Sequence, residues 1–209
     1  MKPSQLTKEY EKFKQSISNA LQSFRETRKN PQTVLEELVF CLCTPQTKAR
    51  NALKAVEEIK NQGLLTKPDL PRISEILRRS GVRFHRKKAE NIMSVFKIFP
   101  AIIDKINENH NQKLDMLRDF LVENVKGLGM KEASHFLRNI GYENVAIIDR
   151  HILKFLQTQR IVKKKVRNIT KKQYLQLEKK FIEQAGKYGL SPAELDLLVW
   201  AVYTGEVLK

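Results

Sequence analysis

Cysteine is nearly absent from this chain. Cys41 and Cys43 are the only two, and a one-residue gap on a helix turns their side chains to different faces. That spacing is a poor disulfide and an incomplete metal site, so the pair reads as two small apolar core residues. Glycine and proline are also sparse, at 8 and 7 of 209 residues, which argues against a disordered chain or a turn-rich β protein. No stretch approaches the ~18 apolar residues that read as a membrane span. Met1-Lys2-Pro3-Ser4-Gln5 leads into no apolar run, so no secretory signal is read. The chain is expected inside the cell, in cytoplasm or nucleoid, neither secreted nor membrane-bound. Acidic residues are outnumbered: 39 Lys and Arg against 23 Asp and Glu leave 39 − 23 = +16. A Lys- and Glu-rich surface of the thermophile kind explains many charges but not so one-sided a balance. The excess favours a polyanion.

Helical periodicity dominates. Leu6, Tyr10, Phe13, Ile17, Leu21 and Phe24 recur at intervals of three and four, which predicts an amphipathic helix over about 5–28, stopped by Asn30-Pro31. Further helices are predicted over about 33–44, 46–62, 72–79, 85–98, 113–124, 131–139 and 149–159, with Pro68 and Pro71 bracketing a loop. Another is carried by Tyr174, Leu177, Phe181, Ala185 and Tyr188. Ser191-Pro192-Ala193-Glu194 opens the last one with an N-cap serine, an N1 proline and a capping-box glutamate. Leu195, Leu198, Val199 and Val202 form its core stripe, with Asp196, Trp200 and Tyr203 on a neighbouring face. Only Val145-Ala146-Ile147-Ile148 reads as a short extended piece. The expected class is all-α. Lys163-Lys164-Lys165-Val166-Arg167 with Lys171-Lys172 is the strongest charge run.

Chemistry concentrates in two segments. In Val125-Lys126-Gly127-Leu128-Gly129 two glycines flank an apolar residue between helices. Glycine tolerates positive φ and close backbone approach, and the N–H groups opening the next helix favour an anion such as a DNA phosphate. By itself a Gly-x-Gly between helices is often just a helix cap. The positive charge and the Lys131–Asp149 spacing favour the phosphate-gripping hairpin. Lys131 follows at the start of that helix, and Asp149 lies 149 − 131 = 18 positions later. A free lysine, with pKa ~10.4, is neutral about once in a few thousand at pH 7. A helix N-terminus and a neighbouring cation such as Lys126 suit Lys131 to activation as a nucleophile. Asp149 reads as the N-cap of its helix. It can also stabilise cationic charge at a sugar C1′ and move protons.

Gly127-Leu128-Gly129-Met130-Lys131 with Asp149-Arg150-His151 resembles the helix-hairpin-helix superfamily of base-excision DNA glycosylases. A lysine ending the hairpin marks the bifunctional members of that superfamily, which also cut the strand. Its iron–sulfur members need four cysteines near the C-terminus, and none follows Cys43 here. The chain is too short for the extra N-terminal β-domain of the eukaryotic 8-oxoguanine enzymes. The resemblance is therefore to the compact second class of 8-oxoguanine DNA glycosylase/AP lyase.

This resemblance implies two helical lobes with a helix-hairpin-helix motif at the cleft. Residues 31–140 would form a six-helix barrel ending in the hairpin, and 1–30 with 141–209 the second lobe. Lys131 and Asp149 would be catalytic, facing each other across the cleft. Gly127, Gly129, Gln46 and His151 would bind DNA, with Pro45-Gln46-Thr47 either a wedge in the gap left by the base or a simple turn. Trp200 and Phe84 would sandwich the extruded base, and the C-terminal Lys209 would help recognise it. No cofactor and no metal is required, although a monovalent cation at the hairpin is compatible. The partner would be double-stranded DNA carrying 8-oxoguanine or abasic sites, and the protein a monomer. A monofunctional glycosylase using Asp149 and water, and a non-catalytic hairpin module with a salt slope of about −0.9 per phosphate, are the alternatives. Neither needs Lys131.

Overall fold

The computed structural model describes residues 3–108, 114–162 and 169–208, and among these it has ten helices and no strand. The basic run 163–167 and Lys209 lie outside the described residues. The expected extended piece at 145–148 is a buried irregular segment. Side chains replace a neighbouring strand there. The Ala146 N–H donates to Glu178 Oε1 (3.1 Å), and the Tyr174 hydroxyl accepts from the Ile148 N–H (3.2 Å) and donates to the Ala146 carbonyl (2.7 Å).

The chain divides into two compact units. The first comprises Asn30–Phe136. It starts with α2 (Pro31–Cys43), two residues earlier than the apolar pattern suggests, because the Asn30 side chain accepts the Gln32 N–H and Pro31 stands in the first turn. α3 (Ala49–Asn61) starts three residues later than expected, since Gln46 adopts φ 54. α4 (Leu70–Arg79) takes Pro71 into its first turn under an Asp69 cap, so that proline is not in a loop. α5 (His85–Glu108) runs straight past its expected end at 98 and through Pro100. Pro100 cannot donate to the carbonyl four residues back. Ile102 and Ile106 beyond it are buried, so packing holds the distal half in place. α6 (Leu114–Asn124) and α7 (Met130–Asn139) follow, the hairpin lying between them. At the centre is α2, whose Val34, Leu35 and every residue from Leu38 to Cys43 are buried; it is apolar nearly all round, as an interior helix must be.

The second unit comprises Met1–Lys29 and Leu137–Lys209, so the division falls within α7. It holds α1 (Pro3–Thr27), α8 (Arg150–Thr158), α9 (Lys171–Lys187) and α10 (Pro192–Thr204). The Ser191–Glu194 capping box forms as its sequence predicts. α10 is broader in its burial than the expected stripe: Ala193, Leu197 and Ala201 are also fully buried. Asp196 is buried as well, ion-paired to Arg138 at the end of α7. Gly141 ends α7 at φ 89, and a Cβ there would lie 2.8 Å from the Arg25 Cα of α1. Only glycine lets those two backbones meet.

Candidate active site

The predicted site residues fall in both units and are taken unit by unit. In the first, the Leu128 N–H donates to the Val125 carbonyl (3.1 Å), closing the hairpin turn, and Leu128 itself is buried. Gly127 has φ 93, and a Cβ on it would sit 2.4 Å from Asn91 Nδ2 and 3.3 Å from Leu42 Cδ2. Gly129 differs from expectation. It lies outside the left-handed region, and a Cβ would meet only Glu132 Oε2, at 3.4 Å. Its carbonyl accepts the Ala133 N–H (2.9 Å), the first helical bond of α7. The N–H groups of Met130, Lys131 and Glu132 therefore precede the helical ladder. We expect Gly127→Ala to destabilise by about 1–3 kcal/mol and Gly129→Ala by much less. Urea midpoints of the two variants check this, and equal shifts would mean that the Asn91 contact is not the cause.

Lys131 is the second residue of α7. Its Nζ lies 3.0 Å from Glu132 Oε1, with the lysine side chain 37% exposed and the glutamate 14%. Lys126 favours the neutral amine, whereas Glu132, the carboxylate in contact with Nζ, favours the ammonium. Attack by the amine requires this ion pair to open and a proton to leave.

Gln46 and Phe84 both carry left-handed backbone, φ 54 and φ 58, and both are exposed, Phe84 by 55%. A full side chain in that region is strained by roughly 1–3 kcal/mol, and such strain concentrates at working sites. The Arg83 guanidinium lies 5.5 Å from the Phe84 ring centroid.

In the second unit Asp149 caps α8. Its Oδ1 accepts both the His151 N–H (2.8 Å) and the Ile152 N–H (2.9 Å). Among the described residues Oδ2 takes no hydrogen bond, so one oxygen caps and the other is available. His151 points into an aromatic cluster. Its ring is edge-on to Trp200 (5.0 Å between centroids) and tilted against Tyr203 (5.4 Å), whose ring also lies 4.6 Å from Lys154 Nζ. Burial pulls the His151 pKa down, the Asp149 carboxylate opposes this, and Arg150 and Lys154 add to it. The Arg150 Nε–H donates to His151 Nε2 (3.2 Å). The Trp200 indole N–H is buried with no acceptor among the described residues. Burial also pushes the Asp196 carboxyl up to about 7, with Arg138 opposing and Asp149 reinforcing.

Four residues escaped the sequence reading: Lys88, Asn91, Glu132 and Arg138. Lys88 left a signal. It stands four and seven positions before Ile92 and Val95, on the buried stripe of α5, and a lysine on an apolar stripe calls for partners. Among the described residues no group of His, Cys, Asp and Glu is arranged to hold a metal ion, and no helix is long and apolar enough to cross a membrane.

The sequence model for 8-oxoguanine DNA glycosylase matches residues 17–190. The chain belongs to the 8-oxoguanine DNA glycosylase family. It is 38% identical to the 8-oxoguanine DNA glycosylase/AP lyase of Korarchaeum cryptofilum, over 95% of this chain and 92% of that one. It is also 38% identical to the enzyme of the same name from Methanocaldococcus jannaschii, over 98% and 99%. The crystal structure of the 8-oxoguanine DNA glycosylase of Thermotoga maritima matches with a TM-score of 0.91 at 30% identity, covering 99% and 98% of the two chains. The M. jannaschii glycosylase/lyase in complex with a 15mer DNA containing 8-oxoguanine matches at 0.87 and 34%, covering 98% and 100%. The stretch matched to the glycosylase family contains the hairpin, Lys131 and Asp149 and stops short of Trp200 and Lys209.

Proposed function

We propose that this chain removes 8-oxoguanine from double-stranded DNA and then cuts the strand at the abasic site, acting as a monomer inside the cell without cofactor or metal. One observation carries this reading. Lys131 follows the Gly127–Gly129 turn at the start of α7, in a chain similar over its whole length to proteins named 8-oxoguanine DNA glycosylase/AP lyase. The N–H groups opening α7 and the +16 charge hold phosphate. Gln46 fills the gap left by the base. Phe84 and Trp200 each offer it an aromatic face, His151 braces Trp200, and Lys209 contributes at the chain's end. Glu132 Oε1 is placed to take the proton that Lys131 must lose. The free amine forms a bond to C1′, the N-glycosidic bond breaks, and its electron pair leaves with the base. The free Oδ2 of Asp149 stabilises the positive charge growing at C1′. Ring opening gives a Schiff base on Lys131, and loss of a C2′ proton expels the 3′ phosphate by β-elimination.

The test is a duplex carrying one 8-oxoguanine, incubated with the protein and borohydride. A covalent adduct is expected. An alkali-labile site without adduct would make the enzyme monofunctional, and an intact lesion would overturn the substrate. Asp149→Asn sharpens this, because asparagine caps a helix about as well as aspartate. We expect an almost unchanged Tm with excision slowed by about 10²–10³-fold; full activity would leave Asp149 as a cap alone.

A further inference from the structure

Gln46 and Phe84 sit in separate turns, yet one buried residue is bonded to both, by its side chain to the first and by its backbone N–H to the second. Lys88, on α5, is 5% exposed. Its Nζ donates to the carbonyls of Cys43 and Pro45, each at 2.7 Å, and to Thr47 Oγ1 at 3.0 Å. Three donors meet three acceptors, so the ammonium is fully satisfied. The cation also lies at the last carbonyls of α2, where the helix dipole favours it. Thr47 Oγ1 in turn accepts the Arg83 N–H (3.2 Å), and the Lys88 N–H donates to the Phe84 carbonyl (3.0 Å). Burial draws the Lys88 pKa down, so water would hydrate this charge better. The three bonds are what keep it inside. Lys88 thus joins the turn that raises Gln46 to the turn that raises Phe84.

We propose that Lys88 is a positioning residue for lesion extrusion, presetting the Gln46 and Phe84 protrusions before DNA binds. The proposal rests on the functional reading above. Expelling a base from a duplex and holding it need both protrusions in register, since misplacement by about 1 Å can cost about 10²-fold in rate. A preformed abasic site has no base to expel or hold. Lys88 therefore acts on the first substrate and not on the second.

The experiment uses the full chain as wild type, Lys88→Met and Thr47→Val. Single-turnover excision is measured on an 8-oxoguanine duplex, and borohydride trapping on the same duplex with a preformed abasic site. Lys88→Met is expected to slow excision by about tenfold or more while trapping changes by less than about twofold. The Lys88 ammonium also exerts a field on Lys131. Thr47→Val leaves that charge in place and removes only the bridge, so it is the deciding variant. It is expected to slow excision by about threefold with trapping unchanged. It also decides the matter alone should Lys88→Met fail to fold. Equal losses on both substrates, or no loss with Thr47→Val, overturn the proposal. A wild-type protein that traps the abasic site but leaves 8-oxoguanine intact overturns the substrate reading first, before any variant is compared.

Discussion

Lys131→Gln is expected to abolish the borohydride-trapped adduct and to slow base removal by about 10³-fold or more. Glutamine keeps most of the side-chain volume and has no nucleophilic amine. The residue it replaces is 37% exposed and ion-paired to a neighbour on its own helix. Its Glu132 partner is only 14% exposed, but glutamine still offers an amide donor, so the loss should stay within about 1 kcal/mol. Folding should therefore be nearly untouched, and the Tm of the variant measures that directly. Its affinity for lesion duplex should persist, because the hairpin N–H groups and the basic surface remain. Tight binding, normal stability and no adduct form the expected triad. An adduct that survives in Lys131→Gln would place the Schiff base on another amine. Loss of binding along with chemistry would mean that Lys131 contributes to the phosphate site rather than to bond breaking.

Arg138→Met should destabilise strongly, by about 3–5 kcal/mol at about pH 8, because the buried Asp196 carboxyl loses its ion-pair partner and must stay charged and unpaired or take up a proton. The two side chains are 4% and 8% exposed. Arg138 also donates from Nε to Asn139 Oδ1 (2.9 Å) and lies 5.4 Å from the Phe24 ring centroid, so some packing is lost too. The deficit should depend on pH, and its sign follows from Asp196. In the wild type burial pushes that carboxyl from 3.8 up to about 7. Between those values the folded state holds a proton that the unfolded chain has released, so stability falls as pH rises. Without Arg138 the one group opposing that rise is gone, and the carboxyl titrates higher still. The loss in Arg138→Met should then be smallest near pH 5 and grow towards pH 8, as read from urea midpoints. A loss that is the same at both would exclude Asp196 as its source.

Much of this molecule was legible because the deciding forces are local. Ser191, Pro192 and Glu194 specify the start of α10 within four residues, and that start forms as read. Ala133, Phe136, Leu137 and Ile140 are buried as their spacing predicts. Errors came where distant contacts override local signals. Pro100 should end a helix, yet packing of Ile102 and Ile106 carries α5 past it. Gln46 looks like the first residue of α3, but bonds from Lys88 to the carbonyls on either side of Thr44 accompany a left-handed turn instead. The same held for the candidate site. Trp200 and Tyr203 could be placed on one face of α10 from spacing alone. That His151 packs against both depends on how α8 meets α10, which no local pattern records. Asp196 was visible off the stripe, while Arg138, 58 positions earlier, was not visible as its partner. Glu132 is adjacent to Lys131 in sequence, but adjacent residues on a helix do not ordinarily face each other, so its contact with Nζ leaves no periodic signal.

The interrupted second unit bears on the order in which the chain can acquire its structure. α1 comes off the ribosome first, but α10, against which it packs, is made last. Between them lies the whole of Asn30–Phe136, an unbroken stretch that can collapse as soon as it is synthesised. Until α10 is made, the buried face of α1, with Leu6, Phe13, Ile17 and Leu21, lacks the helix it packs against. The nascent chain thus carries a sticky amphipathic helix from the synthesis of α1 until that of α10. Bringing the two ends together across a region already collapsed is entropically mild, because closure cost grows only as the logarithm of loop length. The hazard is therefore one of timing: slow translation or a stalled ribosome prolongs the exposure of α1, and self-association of α1 is the failure expected of this architecture.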